Sequence, residues 1–226
     1  MSDDSLFREV DEEVRRDQAL NLWRRYGNYV VAVSLAVIIS VAGIKGWQYW
    51  QTHRAETAGA AYHHGLSLME QNETEQARVI FADLAAQGQK GYATLARLQL
   101  AGIVADRGRT AEAVEAYDTV ANDGSMAPEF RDLARIRAGY LLVGTADPED
   151  LTQRLAGLDR PDGPWRNAVR EILGAAHYRT GNFVEADRLM NEVLVDPQAP
   201  QAMRQRAQMM VQLLQPVLAS RATAVN

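Results

Sequence analysis

Four histidines are the first side chains to weigh for chemistry: His53, His63, His64 and His177. An imidazole can bind zinc or move a proton near neutral pH. A helical metal pair needs two ligands four residues apart on one face. His63 and His64 are neighbours, about 100° apart on a helix, and do not converge. His64 and His177 fall at helix positions typical of packing between helices. Cysteine is absent, which removes disulfides, thiolate catalysis and Cys-based metal sites together. The chain has no H-E-x-x-H, no G-x-S-x-G and no glycine loop built to cradle phosphate. Asp147, Glu149 and Asp150 gather at a helix start, where the dipole favours negative charge. Arg131, Arg135 and Arg137 share one helix and form either a solvated face or a contact for an acidic partner. With no nucleophile–base pair and no metal constellation, the expectation is a protein that binds, with no catalysis and no cofactor.

The element that must position any such contact is a membrane span. Residues 29–50 read YVVAVSLAVIISVAGIKGWQYW, without a charge from Tyr29 to Ile44. A hydrocarbon core about 30 Å thick takes roughly 20 helical residues at about 1.5 Å each. Residues 28–50 supply that length. Lys45 lies near the end, where a lysine can carry its ammonium out to the headgroups. Trp23, Tyr26 and Tyr29 flank one side, and Trp47, Tyr49 and Trp50 the other, as interfacial aromatics do. A buried core helix would not need aromatics at both ends. A cleaved signal peptide begins with a short charged region, whereas 28 residues precede this run. The small residues Ala58, Gly59 and Ala60 resemble a cleavage site but lie past Trp50, His53 and Arg54.

Arginine and lysine set the orientation. Arg8, Arg15, Arg16, Arg24 and Arg25 precede the span; Lys45 and Arg54 follow it. The expected topology keeps residues 1–27 as a charged cytoplasmic tail and puts the chain beyond the span outside the cytoplasm. From residue 55 on there are 17 Arg and Lys against 22 Asp and Glu, so that part carries the whole net charge of −5. No basic patch points to nucleic acid.

Beyond the span the chain reads as helices without a period-two segment. The class is all-α. The segment after Trp50 can continue the membrane helix outward, with a turn at Asn72 and Glu73 and Thr74 as the next cap. Asp147 caps a later helix with Pro148 in its first turn. The last helix is expected to end near Pro216, leaving 220–226 as a loose tail.

A repeat underlies the helices. Small residues recur in each first helix at Gly65, Ala101, Ala138 and Gly174, in steps of 36, 37 and 36. Twelve positions on stand Ala77, Ala113 and Ala186, and four further Phe81, Tyr117 and Met190. Small side chains let helices approach and the bulky one fills the gap. The third unit keeps Ala138 but has Asp150 at the small position. Over residues 58–200 this spacing resembles the tetratricopeptide repeat, without that family's frequent Trp at the fourth position. It implies an α-solenoid of about four helix pairs plus a capping helix, spanning 55–219.

A charged tail, one span and about four degenerate repeats together resemble the YfgM-type ancillary subunits of the bacterial Sec translocon. The resemblance implies an inner-membrane protein with a periplasmic repeat domain. It implies association with the translocon and with a periplasmic chaperone or isomerase. That family shares its repeat domain with periplasmic proteins that coordinate cell division, so the alternative is an envelope-assembly or division factor. First helices of a solenoid line a concave surface. The repeat register puts Tyr62, Leu66, Leu98, Arg135, Glu171 and Tyr178 there, with Tyr62 and Tyr178 either anchors for a partner segment or plain core.

Overall fold

The computed structural model describes the backbone of residues 3–86 and 90–224, and the side chains of residues 23–29, 31–86 and 91–220. The described residues are helical without a strand: α1 (Asp3–Glu70), α2 (Thr74–Ala86), α3 (Lys90–Asp106), α4 (Thr110–Asn122), α5 (Pro128–Leu142), α6 (Pro148–Arg154), α7 (Arg166–Arg179), α8 (Phe183–Val195) and α9 (Gln201–Ala224). The chain divides into two compact units between Thr57 and Ala58.

The first unit is helix alone. From Val31 to Trp50 every side chain is exposed. That much unpartnered apolar surface is unfavourable in water and at home in lipid, where a helix satisfies its own backbone. Ser40 returns its hydroxyl to the Ala36 carbonyl at 2.8 Å, so its one polar group is also satisfied within the helix. Among the described residues this helix is the one long and apolar enough to cross a membrane. The side chains of the charged tail up to residue 22 lie outside the described residues.

The second unit is built of helix pairs: the end of α1 with α2, α3 with α4, α5 with α6, and α7 with α8, closed by α9. Three of the four pair turns share one geometry. Asn72, Gly108 and Gly181 sit at the same place in the repeat with φ of 62°, 75° and 81°. In each, the next amide reaches five residues back: Glu73 to Leu68, Arg109 to Val104 and Asn182 to His177. This left-handed cap satisfies carbonyls the helix end would otherwise leave open, and it favours Gly or Asn. Thr74 is the first residue of α2 rather than its cap. The third turn lacks the motif; Thr145 and Ala146 both bond back to Leu142.

The small–bulky spacing is what closes each pair. Ala77, Ala113 and Ala186 are fully buried, as are Ala101 and Ala138, and Phe81, Tyr117 and Met190 fill the space beside them. In the third pair Asp150 is exposed and Leu151 and Leu155 are buried. The second helix has slipped by one residue, so that leucines stand in the slots held elsewhere by alanine and the bulky residue. Gly139 makes room for this: a Cβ there would lie 3.2 Å from Ile172 and 3.4 Å from Leu155. α6 is accordingly short, 7 residues against 13 for α2, α4 and α8.

The last helix differs from expectation. α9 runs through Pro216 to Ala224, so the segment expected to be loose is helical up to that residue; residues 225 and 226 lie outside the description. A proline inside a helix leaves the carbonyl four residues back without its donor. Here that carbonyl belongs to Gln212, and both Gln212 and Pro216 are exposed, so water can supply the missing bond.

Candidate protein-binding face

Successive first helices pack closely, α3 to α5, α5 to α7 and α7 to α9, whereas the second helices α4 and α6 meet through a side-chain ion pair, Arg154 to Asp118. The layer whose members pack closer is the shorter arc, so the stack bends toward its first helices. A cleft of about 580 Å³ opens on that face. Leu133, Ile136 and Leu141 of α5 line it, with Trp165 and Ala168 at the start of α7, Met203 of α9, and Met69 from α1. Gln99, Asp106, Arg137 and Tyr140 add polar groups. A mostly apolar lining with a few placed polar groups suits capture of apolar side chains. Thioethers and aromatics supply adaptable contact area.

One ion pair ties the helices behind this face. Arg206 of α9 holds Glu171 of α7 through two bonds, at 2.5 and 2.9 Å, and Tyr140 of α5 donates to the same carboxylate at 2.7 Å. Glu171 is only 7% exposed. Burial first, and then the Glu171 carboxylate, push the Tyr140 hydroxyl well above the ordinary tyrosine value. Tyr140 therefore stays a neutral donor at the rim.

A second cluster pins the turn between α8 and α9. Arg166 donates to both oxygens of Asp196, at 2.5 and 2.8 Å. Asn167 and the Gln198 amide donate to the same carboxylate at 3.0 and 2.8 Å. The Arg166 guanidinium, helped by these donors, holds the Asp196 carboxyl far below the usual carboxylate range. Arg166 also reaches the Gly163 carbonyl at 3.1 Å, so the α6–α7 loop is fastened to the same point. These charges fasten packed segments to one another.

The structure places the six residues expected on the groove elsewhere. Leu98 is 3% exposed, in the core. Leu66 packs against the core of the first pair. Tyr62 lies between Phe81 and Tyr92, at ring separations of 5.6 and 6.0 Å, and accepts a hydrogen bond from Gln99 at 2.9 Å. Tyr178 packs on Phe183 at 5.6 Å. Glu171 is buried in its ion pair. Arg135 faces a different, polar cleft beside Asp118, Asp150 and Arg154. The cleft lining runs through immediate neighbours, Gln99 beside Leu98 and Ile136 beside Arg135. One residue on a helix is a rotation of about 100°, enough to move a side chain from groove to core. Trp165 and Met203 were missed because they belong to a loop end and the closing helix, outside the repeat spacing.

The histidines do not converge. His63 and His64 are both exposed, which corrects the packing role expected of His64: its position points away from the helix contact made by Gly65. His177 sits 3.4 Å from the Asn182 amide. Arg131 is half-buried, and its Nε makes no hydrogen bond. The acidic residues at the start of α6 stand in its first turn.

Comparison with known proteins agrees with this architecture. The family pattern described as tetratricopeptide repeat-like domain matches residues 21–215. A stretch of 92 residues is 32% identical to a protein of Haemophilus influenzae named ancillary SecYEG translocon subunit. That match takes in 39% of this chain, and the chain spans 44% of the relative's length. No solved structure matches the chain.

Proposed function

Because the chain belongs to the tetratricopeptide repeat-like domain family, we propose that it is a membrane-anchored, non-catalytic scaffold that binds other proteins, serving as an ancillary subunit of the Sec translocon. The observation that carries this reading is the apolar cleft lined from α1, α3, α5, α7 and α9, a surface wider than any one pair needs for its own core. The similarity to a protein named for the translocon supports the choice of partner. In this reading residues 1–27 are cytoplasmic, the span sits in the bacterial inner membrane, and the repeat domain at 55–219 is periplasmic, where it links the translocon to a chaperone or isomerase. Anchoring keeps partners at high effective concentration near the bilayer, so weak contacts suffice.

The test places a photo-crosslinking side chain at Met203 or Trp165 of the full chain in membranes. Translocon components with a periplasmic isomerase should be captured there, and less so from Val184, an exposed position on α8. Capture of cell-wall synthesis proteins instead would replace this reading with the envelope-assembly one. A phosphatase reporter fused at the C-terminus checks orientation: a well-expressed but inactive fusion would refute N-in topology.

A further inference from the structure

The membrane-proximal end of α1 carries an arrangement the protein-binding reading does not use. Trp47, Trp50 and Arg54 follow one another at i, i+3 and i+7, one side of a helix. The two indoles lie 5.2 Å apart, and the Arg54 guanidinium sits over the Trp50 ring at 4.1 Å. The opposite side is arranged differently. There Tyr49 stacks on His53 at 6.3 Å, and His53 faces Glu56 at 4.0 Å. Glu56 is thus on the side away from Arg54, and among the described residues Arg54 has no carboxylate partner. The cation is left with only a ring for company, and the ring satisfies none of its N–H donors.

Depth decides what can complete it. Indoles settle at the boundary of hydrocarbon and headgroups. Arg54 starts about 10 Å beyond Trp47 along the helix, but its side chain turns back over Trp50, as helical side chains lean toward the N-terminus. Its charge therefore lies in the headgroup layer. A guanidinium stacked on an aromatic face keeps its planar edge free, and that edge matches phosphate oxygens through two parallel bonds. The geometry points to a phospholipid site: Trp47 and Trp50 seat the glycerol end of a lipid and Arg54 binds its phosphodiester. A headgroup without its own ammonium should be preferred, because an ammonium competes for the same phosphate. The occupant is then an anionic lipid such as phosphatidylglycerol.

This inference rests on α1 crossing a membrane and is independent of what the repeat domain binds. The full chain is purified in detergent with equal phosphatidylglycerol and phosphatidylcholine of matched acyl chains, and the retained lipid is counted by native mass spectrometry. Phosphatidylglycerol should be retained in several-fold excess. Arg54→Gln and Trp50→Ala should each cut that excess several-fold, and Lys45→Gln, on the other side of the helix, should leave it unchanged. All three side chains are exposed, and an unaltered helical circular dichroism signal confirms that the variants fold. Equal retention of the two lipids, or undiminished retention in Arg54→Gln, overturns the site. So does displacement of the lipid by excess inorganic phosphate, which would make Arg54 a general anion contact.

Discussion

Gly65 lies so close to Phe81 that a β-carbon at position 65 would stand 2.7 Å from the ring. The same relation recurs at the other end of the stack, where a β-carbon on Gly174 would stand 2.7 Å from the Met190 terminal methyl. In the first and fourth pairs the two helices approach until one backbone touches the other's bulky side chain. The repeat spacing is the one-dimensional trace of that contact.

The two glycines should nonetheless respond differently to alanine. Gly→Ala in a helix gains about 0.5–1 kcal/mol of propensity, and overpacking a core costs about 1–3 kcal/mol. The Phe81 ring is fully buried and cannot move aside, so Gly65→Ala should destabilise by about 1 kcal/mol net. The Met190 methyl is the far end of a flexible chain, so Gly174→Ala should be near neutral. Urea unfolding of both variants reads the difference. Equal losses would mean that the two pairs do not close by the same contact.

Asp196 should govern the acid limb of stability. Its folded pKa is depressed, by Arg166 first. Its contribution is therefore present above the unfolded value of about 4 and lost as pH falls below it. Melting temperature against pH should fall steeply there in the native protein. Asp196→Asn should lower melting at neutral pH, because Arg166 then loses its counter-charge, and should flatten the acid limb. An acid limb unchanged in the variant would assign it to other carboxylates.

Tyr140 should titrate late. Its folded pKa is raised, so its contribution is complete below the unfolded value of about 10 and is lost as pH rises through the folded one. Ultraviolet titration should show a phenol ionising above the ordinary tyrosine value of about 10, absent in Tyr140→Phe. Glu171→Gln should bring that ionisation down by removing the carboxylate that accepts its hydrogen bond. A Tyr140→Phe trace superimposable on the native one would contradict the Tyr140–Glu171 hydrogen bond.

Pro216→Ala should strengthen the end of α9. A proline in a helix interior costs about 3 kcal/mol. Here both Pro216 and Gln212 are exposed and the helix is near its end, so the gain should be about 1 kcal/mol. Amide exchange beyond residue 216 should slow. No change would mean that the last turns contribute nothing to the fold.

Much of this protein was written in local pattern. The uncharged run from Tyr29 to Ile44, the helix pairs, and the glycine and alanine positions that meet Phe81, Tyr117 and Met190 all follow from short-range periodicity. Periodicity reports which residues turn inward, and each pair packs against its own chain neighbours. Even the odd third pair was visible as Asp150 in a small slot, although its remedy, a one-residue slip onto Leu151 and Leu155, was not. The candidate face was decided elsewhere. Whether Leu98 or Gln99 looks into the cleft depends on a rotation of about 100°, which spacing alone does not resolve. The direction of bending depends on α3, α5, α7 and α9 touching across intervening helices. The charge pairs that tie the fold, Arg206 to Glu171 between α9 and α7 and Arg166 to Asp196 at the α8–α9 turn, join residues 35 and 30 positions apart. An arginine and a distant carboxylate carry no mark in sequence that they will meet; packing brings them together, and only then does burial make the pairing matter.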